Sequence, residues 1–355
     1  MISMRLTKED TKKLQGIAIL CMFALHLFNR VDIAEYYDVH LYLGELPLLT
    51  RISYSFDICV PIYLFCSGYG LEEQHKCGRG SLKERGKRIL KLLYKYWFVI
   101  ALTCLVGYFL GMGDRFPGTI GQFLANAFLL VNGYVGALWF VQTYVLLVLL
   151  WGVFQYVVER LDWKLVSVLS FVLCAGSWCM AYFIQAHVKQ TVLAGMVNSL
   201  MLLLRSQFPF VIGMILSRET FLDEWKWSMW IRTRKILPFA LLILVILVRM
   251  LLPNMFFAPF AAFAVIFLFG TYDWPVGNRV LRFFGKHSTN MWMTHMQFYM
   301  IFCREFIFAS RNVFVIFGTL IVVTLLTSYG MMGCGKVFQY LERKCVNYVR
   351  TTLCK

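Results

Sequence analysis

The sequence predicts an all-α polytopic membrane protein of about ten transmembrane helices with both termini cytoplasmic, and three observations predict it. The 355 residues are 59% hydrophobic and only 15% charged, and the mean hydropathy of +0.65 lies far above that of soluble globular chains. At about 20 apolar residues per crossing, spans fall at roughly 14–28, 52–71, 89–112, 137–158, 164–186, 193–216, 236–252, 255–272, 288–308 and 313–339. Lys and Arg then alternate between the connections, as they do when cytoplasmic loops retain them.

Taken in order, the N-terminus is basic (Arg5, Lys8, Lys12, Lys13) and lacks the small-residue cleavage site of a signal peptide, so the first helix is expected to stay attached. The outer connection 29–51 is acidic and aromatic, with Asp32, Glu35, Asp38, Glu45, Tyr36, Tyr37 and Tyr42. The 72–88 loop carries Lys76, Arg79, Lys83, Arg85, Lys87 and Arg88. In 113–136 only Arg115 is basic, and an apolar stretch too short to span reads as an interfacial or re-entrant piece. Lys189 is alone in 187–192; the 217–235 loop is basic again (Arg218, Lys226, Arg232, Arg234, Lys235). Nothing basic stands in 253–254, Arg311 is alone in 309–312, and the tail holds Arg343, Lys344, Arg350 and Lys355. Even-numbered connections are basic and odd-numbered ones are not, which fits ten spans with both termini inside.

No stretch is long enough for a soluble domain, so residues 1–355 read as one transmembrane domain. The net charge of +16 therefore points to topology, anionic lipid and an anionic cytoplasmic ligand rather than to nucleic acid. Most of the eleven cysteines fall within spans, and none has zinc-ligand spacing with histidines; no metal site and no disulfide framework are expected. An inverted internal repeat of the transporter kind is not evident.

Polar residues inside spans are costly and mark candidate sites. In LQGIAILCMFALHLFNR (14–30), eleven residues bring His26 to within about 20° of Gln15 in azimuth and about 16 Å further along the helix. Lys12 is about 40° off that face and Lys13 points away. Read alone, His26 is either a helix-end histidine or a catalytic one. In VPIYLFCSGYGLEEQHK (60–76), Ser67, Gly68 and Tyr69 interrupt an apolar helix, where Gly68 lets a backbone or a ligand approach closely. A small-residue packing site is the other reading. In LRFFGKHSTNMWMTHMQF (281–298), a Gly-Lys turn is expected before a helix presenting Asn290, Thr294, His295 and Gln297, with His295 about 10 Å from the cytoplasmic end.

These stretches, in this order, resemble the acyltransferase-3 family of integral-membrane O-acyltransferases. QGIAILCMFALH supplies the family's Gly, Ala and His as Gly16, Ala18 and His26. VPIYLFCSGY resembles its Ser-Gly-Phe/Tyr helix, RGKRILKLLYKYW its basic entry to the third span, and LRFFGKHSTNMWMTH its Gly-Lys-x-Ser…His stretch. LWFVQTYVLLVLL and FPFVIGMIL match further along. Gln15 stands where the family has a basic residue, and Lys12 is expected to substitute.

The resemblance implies transfer of an acyl group, expected to be acetyl, from cytoplasmic acyl-CoA to a hydroxyl of a cell-surface or lipid-linked carbohydrate, in the plasma or inner membrane of a bacterium. It implies no bound cofactor; acyl-CoA is a co-substrate. His26 would be the catalytic base or acyl acceptor, with Ser67, Tyr69, Trp139, Asn290 and His295 shaping the cavity. Lys12, Arg85, Arg88 and Lys91 would hold the CoA phosphates, and the 29–51 loop would receive carbohydrate. The alternative is a secondary transporter or flippase of a sugar-like substrate, for which Arg205 and the Arg304-Glu305 pair within spans speak. A sensor or scaffold is a third. Arg249, near an outer helix end, is expected to snorkel.

Overall fold

The computed structural model describes residues 5–187, 192–219, 234, 236–270 and 272–353, and side chains for all of these except 185–187, 192–194 and 337–353. Lys189, Lys226, Arg232, Lys235, Cys354 and Lys355, and the side chains of Arg343, Lys344, Cys345 and Arg350, lie outside the described residues.

The chain is helical almost throughout. Helix α1 (Lys8–Phe28) begins six residues before the expected apolar edge, because Thr7 and Asp10 form a capping box: the Thr7 hydroxyl accepts from the Asp10 N–H and the Asp10 carboxylate accepts from the Thr7 N–H. A short hairpin (β1, Tyr42–Leu43; β2, Leu46–Pro47; antiparallel) and α2 (Leu48–Ser53) lead through a 3₁₀ turn (Tyr54–Ile58) into α3 (Cys59–Lys76). Next come α4 (Leu82–Phe109), α5 (Ile120–Ala127), α6 (Trp139–Arg160), α7 (Trp163–His187) and α8 (Val192–Arg218). The last five are α9 (Leu237–Leu251), α10 (Ala258–Phe269), α11 (Pro275–Met296), α12 (Arg304–Phe308) and α13 (Val313–Leu353).

Among the described residues, seven helical segments are long and apolar enough to cross a membrane: Lys8–Phe28, Leu48–Lys76, Leu82–Phe109, Gly136–Arg160, Trp163–Ile184, Gly195–Arg218 and Val313–Lys336. Helices α9 and α10 fall within the expected 236–252 and 255–272 spans but are shorter, and α11 is long but polar and overlaps the expected 288–308 span only over 288–296. In the 113–136 connection, α5 does not span. It exposes Ile120 and Phe128 and is tied to α4 by the Tyr96 hydroxyl donating to Asn126 O (2.6 Å) and the Trp97 indole donating to Ala127 O (2.8 Å).

Two helix pairs set the centre. Helix α1 lies against α11 so closely that a Cβ on Gly16 would stand 1.9 Å from Leu281 O, and one on Gly285 1.9 Å from Lys12 O. Helix α3 meets α8 in the same way, with Gly68 against Phe210 O and Gly213 against Phe65 O. Without a hydrophobic drive between helices in lipid, such small-residue contacts hold them by backbone proximity. Gly68 thus serves helix packing rather than ligand access.

Two expectations are corrected. No Gly-Lys turn precedes the 288–308 region: α11 runs unbroken from Pro275, a favourable first-turn residue, through Gly285 and Lys286. Its polar groups are satisfied by neighbours instead, His287 Nδ1 meeting Ser328 Oγ at 2.9 Å and Ser288 Oγ donating to Gly285 O at 3.0 Å. Arg249 does not snorkel. It is 2% exposed, meets Asp57 Oδ2 at 2.5 Å and donates to the carbonyls of Leu252 and Asn254, pinning α9 to the start of α3. Burial without that carboxylate would leave a charge uncompensated, so the pair is a clamp.

Candidate functional site

The α1–α11 contact brings two histidines together. Because α11 starts at Pro275, His295 lies some 20 residues along it, about 30 Å from its start rather than 10 Å, and level with His26. His26 Nδ1 and His295 Nε2 are 2.6 Å apart, with the rings stacked at a centroid distance of 4.9 Å and an interplanar angle of 8°. Phe23 and Tyr299 flank the pair, and Tyr299 belongs to a π-helical segment (Gln297–Phe302) of the kind that often occurs at functional sites.

Hydrogen-bond chemistry fixes the tautomers. The Trp292 carbonyl, 2.6 Å from His295 Nδ1, can only accept, so that nitrogen carries the proton. His295 Nε2 is then the acceptor, and His26 Nδ1–H donates to it. This leaves His26 Nε2 with a free lone pair. His295 has no exposed surface, whereas His26 retains some. A proton arriving at His26 Nε2 would give an imidazolium whose other N–H is already held, the arrangement in which a second residue orients a base.

A cavity of about 420 Å³ opens beside these helices. Five cations line it: Lys12 from α1, Arg88, Lys91 and Lys95 from α4, and Lys286 from α11. No carboxylate does, among the described residues. Their contacts are to neutral groups: Lys12 Nζ donates to Gln15 Oε1 (2.9 Å), Arg88 Nε to the Tyr144 hydroxyl (2.6 Å) and Lys95 Nζ to Asn290 Oδ1 (2.8 Å). Gln15, Tyr63, Ser67, Phe140 and Trp292 complete the walls. Neither His26 nor His295 lines the cavity; Trp292 is the link to them, since it lines the cavity and its carbonyl holds His295. Such a field of unpaired cations with aromatic walls suits a polyanion carrying an apolar arm.

The residues singled out from sequence divide. Lys12, Arg88, Lys91 and Ser67 line the cavity, and Asn290 supports it through Lys95. Lys13 points elsewhere, donating to Tyr272 O at 3.0 Å. Arg85 is outside: its guanidinium donates to Val148 and Leu149 carbonyls and lies over the Trp151 ring at 5.1 Å, because position 85 falls on the α6-facing side of α4. Tyr69 is also outside, its hydroxyl accepting from the Leu6 N–H, and Trp139 packs behind the cavity-lining Phe140. Lys95, Lys286, Tyr63 and Tyr144 were not expected. Lys95 was findable, since Arg88, Lys91 and Lys95 are spaced three and four apart and share a helix face.

In the 29–51 loop, Tyr37 is buried against Thr50, and Tyr36 lies under Arg304, leaving Tyr42 exposed. Arg205 lies over the Trp178 ring at 3.8 Å between α7 and α8, away from the cavity. A family model for an acyltransferase domain, acyltransferase-3, matches residues 14–333. No curated protein and no solved structure matches the chain.

Proposed function

Because the chain belongs to the acyltransferase-3 family, we propose that it moves an acetyl group from cytoplasmic acyl-CoA to a hydroxyl of a cell-surface or lipid-linked carbohydrate, as a ten-span protein with both termini in the cytoplasm of a bacterium. The observation that carries this reading is the cavity of five cations and no carboxylate, joined through Trp292 to the His26–His295 pair. Lys12, Arg88, Lys91, Lys95 and Lys286 hold the phosphates of CoA, and Tyr63, Phe140 and Trp292 flank its pantetheine arm.

His26 Nε2 takes the proton of the acceptor hydroxyl as its oxygen attacks the thioester carbonyl. The carbon–sulfur bond breaks, and the proton passes from His26 to the departing CoA thiolate. His295 touches neither substrate; it positions His26 and stabilises the imidazolium through the Nδ1–H bond. Gln15, in place of a basic residue, binds Lys12 and steers its ammonium into the cavity. Of the residues that speak for a transporter or flippase, Arg205 is stacked on Trp178 and Arg304 lies over Tyr36.

Membranes containing the chain, supplied with acetyl-labelled acetyl-CoA, should transfer label to the carbohydrate fraction, and membranes lacking it should not. Equal labelling of both would refute the reading.

A further inference from the structure

A second cavity, of about 270 Å³, opens on the face opposite the α1 N-terminus, between the 113–136 connection and the junction of α11 with α12. Arg115, Asn132, Tyr134 and Arg304 supply its polar walls; Met296 and Met300 line it from the helix side. Those methionines directly follow His295 and Tyr299, whose rings stack with His26. The cavity therefore occupies the strip of helix about 100° around from the histidine face.

Arg30, Arg249 and Arg311 are each paired with a carboxylate: Asp32 at 2.6 Å, Asp57 at 2.5 Å and Asp38 at 2.8 Å. Arg115 and Arg304 have no carboxylate within ion-pair distance among the described residues. Their guanidinium groups lie against Phe116 (4.9 Å) and Tyr36 (5.4 Å), contacts that fix their position and leave N–H donors to spare. Tyr134 offers no competing anion: burial pushes its phenol up to about 12, and its hydroxyl donates to Pro117 O. Asn132 donates to Gly136 O at 3.0 Å, which leaves its own Oδ1 to accept from a ligand hydroxyl. Two forked cations, a hydroxyl-reading amide and a thioether wall match a small ring compound bearing an oxyanion.

We propose, resting on the acyl-transfer reading above, that this cavity binds the acceptor through an oxyanion on its sugar, either the carboxylate of an acidic sugar or the phosphate of a phosphorylated one. Arg304 and Arg115 clamp the anion, and the sugar ring lies along Met296 and Met300 with a hydroxyl turned towards His26.

The test is ligand-observed NMR on the full chain in detergent with glucuronate, glucose 1-phosphate and glucose, and with CoA in parallel samples. At least one acid should bind about tenfold more tightly than glucose, the scale of one or two charge-assisted hydrogen bonds. Arg304→Gln and Arg115→Gln should each remove about that factor and leave the affinity for CoA unchanged. Preference for one acid only identifies the source of the anion and supports the proposal. Acids that bind no better than glucose, or that bind the Arg304→Gln/Arg115→Gln chain as well as the wild type, overturn it. CoA binding without acid binding defeats this inference alone, and acid binding without CoA binding defeats the acyl-transfer reading.

Discussion

Two clusters of cations on the same face of the molecule have opposite surroundings. Where the ends of α3, α6 and α8 meet, Arg218 and Lys76 are both paired with carboxylates. Arg218 bridges Glu72 (2.8 Å) and Glu159 (3.0 Å), and Lys76 meets Glu73 (2.7 Å), whose carboxylate also accepts from the Ser217 hydroxyl. In the α1–α4–α11 cavity, Lys12, Arg88, Lys91, Lys95 and Lys286 gather with no acid among them. The first cluster spends its charge on holding helices in register. The second retains mutual repulsion that only an anion from outside relieves, so an anionic ligand should bind there and stabilise the fold by linkage.

The predictions test that contrast. His26→Ala should cost most, lowering acetyl transfer by about 10²–10⁴-fold, the usual worth of a positioned base, while CoA still binds, since the cations are untouched. His295→Phe should give a smaller loss with CoA binding likewise intact, because it removes the partner of the base and not the base. Arg88→Gln or Lys95→Gln should each raise the KM for acetyl-CoA about tenfold, read in the same transfer assay. Lys12→Ala should impair use of the donor about tenfold, whereas Lys13→Ala should leave it within about twofold and lower the melting temperature, having lost Tyr272 O and the nearby Asp10 carboxylate. Equal effects of the two lysines would remove the special role of Lys12. Smallest in the transfer assay, Arg218→Gln should change the KM by no more than about twofold and show itself in thermal unfolding instead, because it leaves the fully buried Glu72 without its cation.

Much of this was legible in the sequence where one helix carries the whole signal. Azimuth alone separated Lys12, which faces the cavity, from Lys13, which does not, whereas the helix start at the Thr7–Asp10 capping box lies outside the apolar run that marked the span. What needed two helices was hidden. His295 looked shallow because Gly285 and Lys286 read as a turn, whereas Gly285 is there so that the α1 backbone can approach. Arg249 looked free to snorkel because Asp57 is 192 residues away in the chain. Arg85 and Arg88 looked equivalent in a basic run, and only the position of α6 assigns the first to Trp151 and the second to the cavity. Trp139 marked the right helix, one residue from the ring that lines the wall.

The contrast between paired and unpaired cations is tested most directly by the dissociation constant of CoA from the full chain in detergent, measured for the wild type, Arg88→Gln/Lys95→Gln and Arg218→Gln. The double variant should bind about a hundredfold more weakly, two charge-assisted contacts having been lost, and Arg218→Gln should bind as the wild type does. Binding that is insensitive to Arg88 and Lys95, or that falls equally in Arg218→Gln, would contradict the assignment of the α1–α4–α11 cavity to the acyl donor.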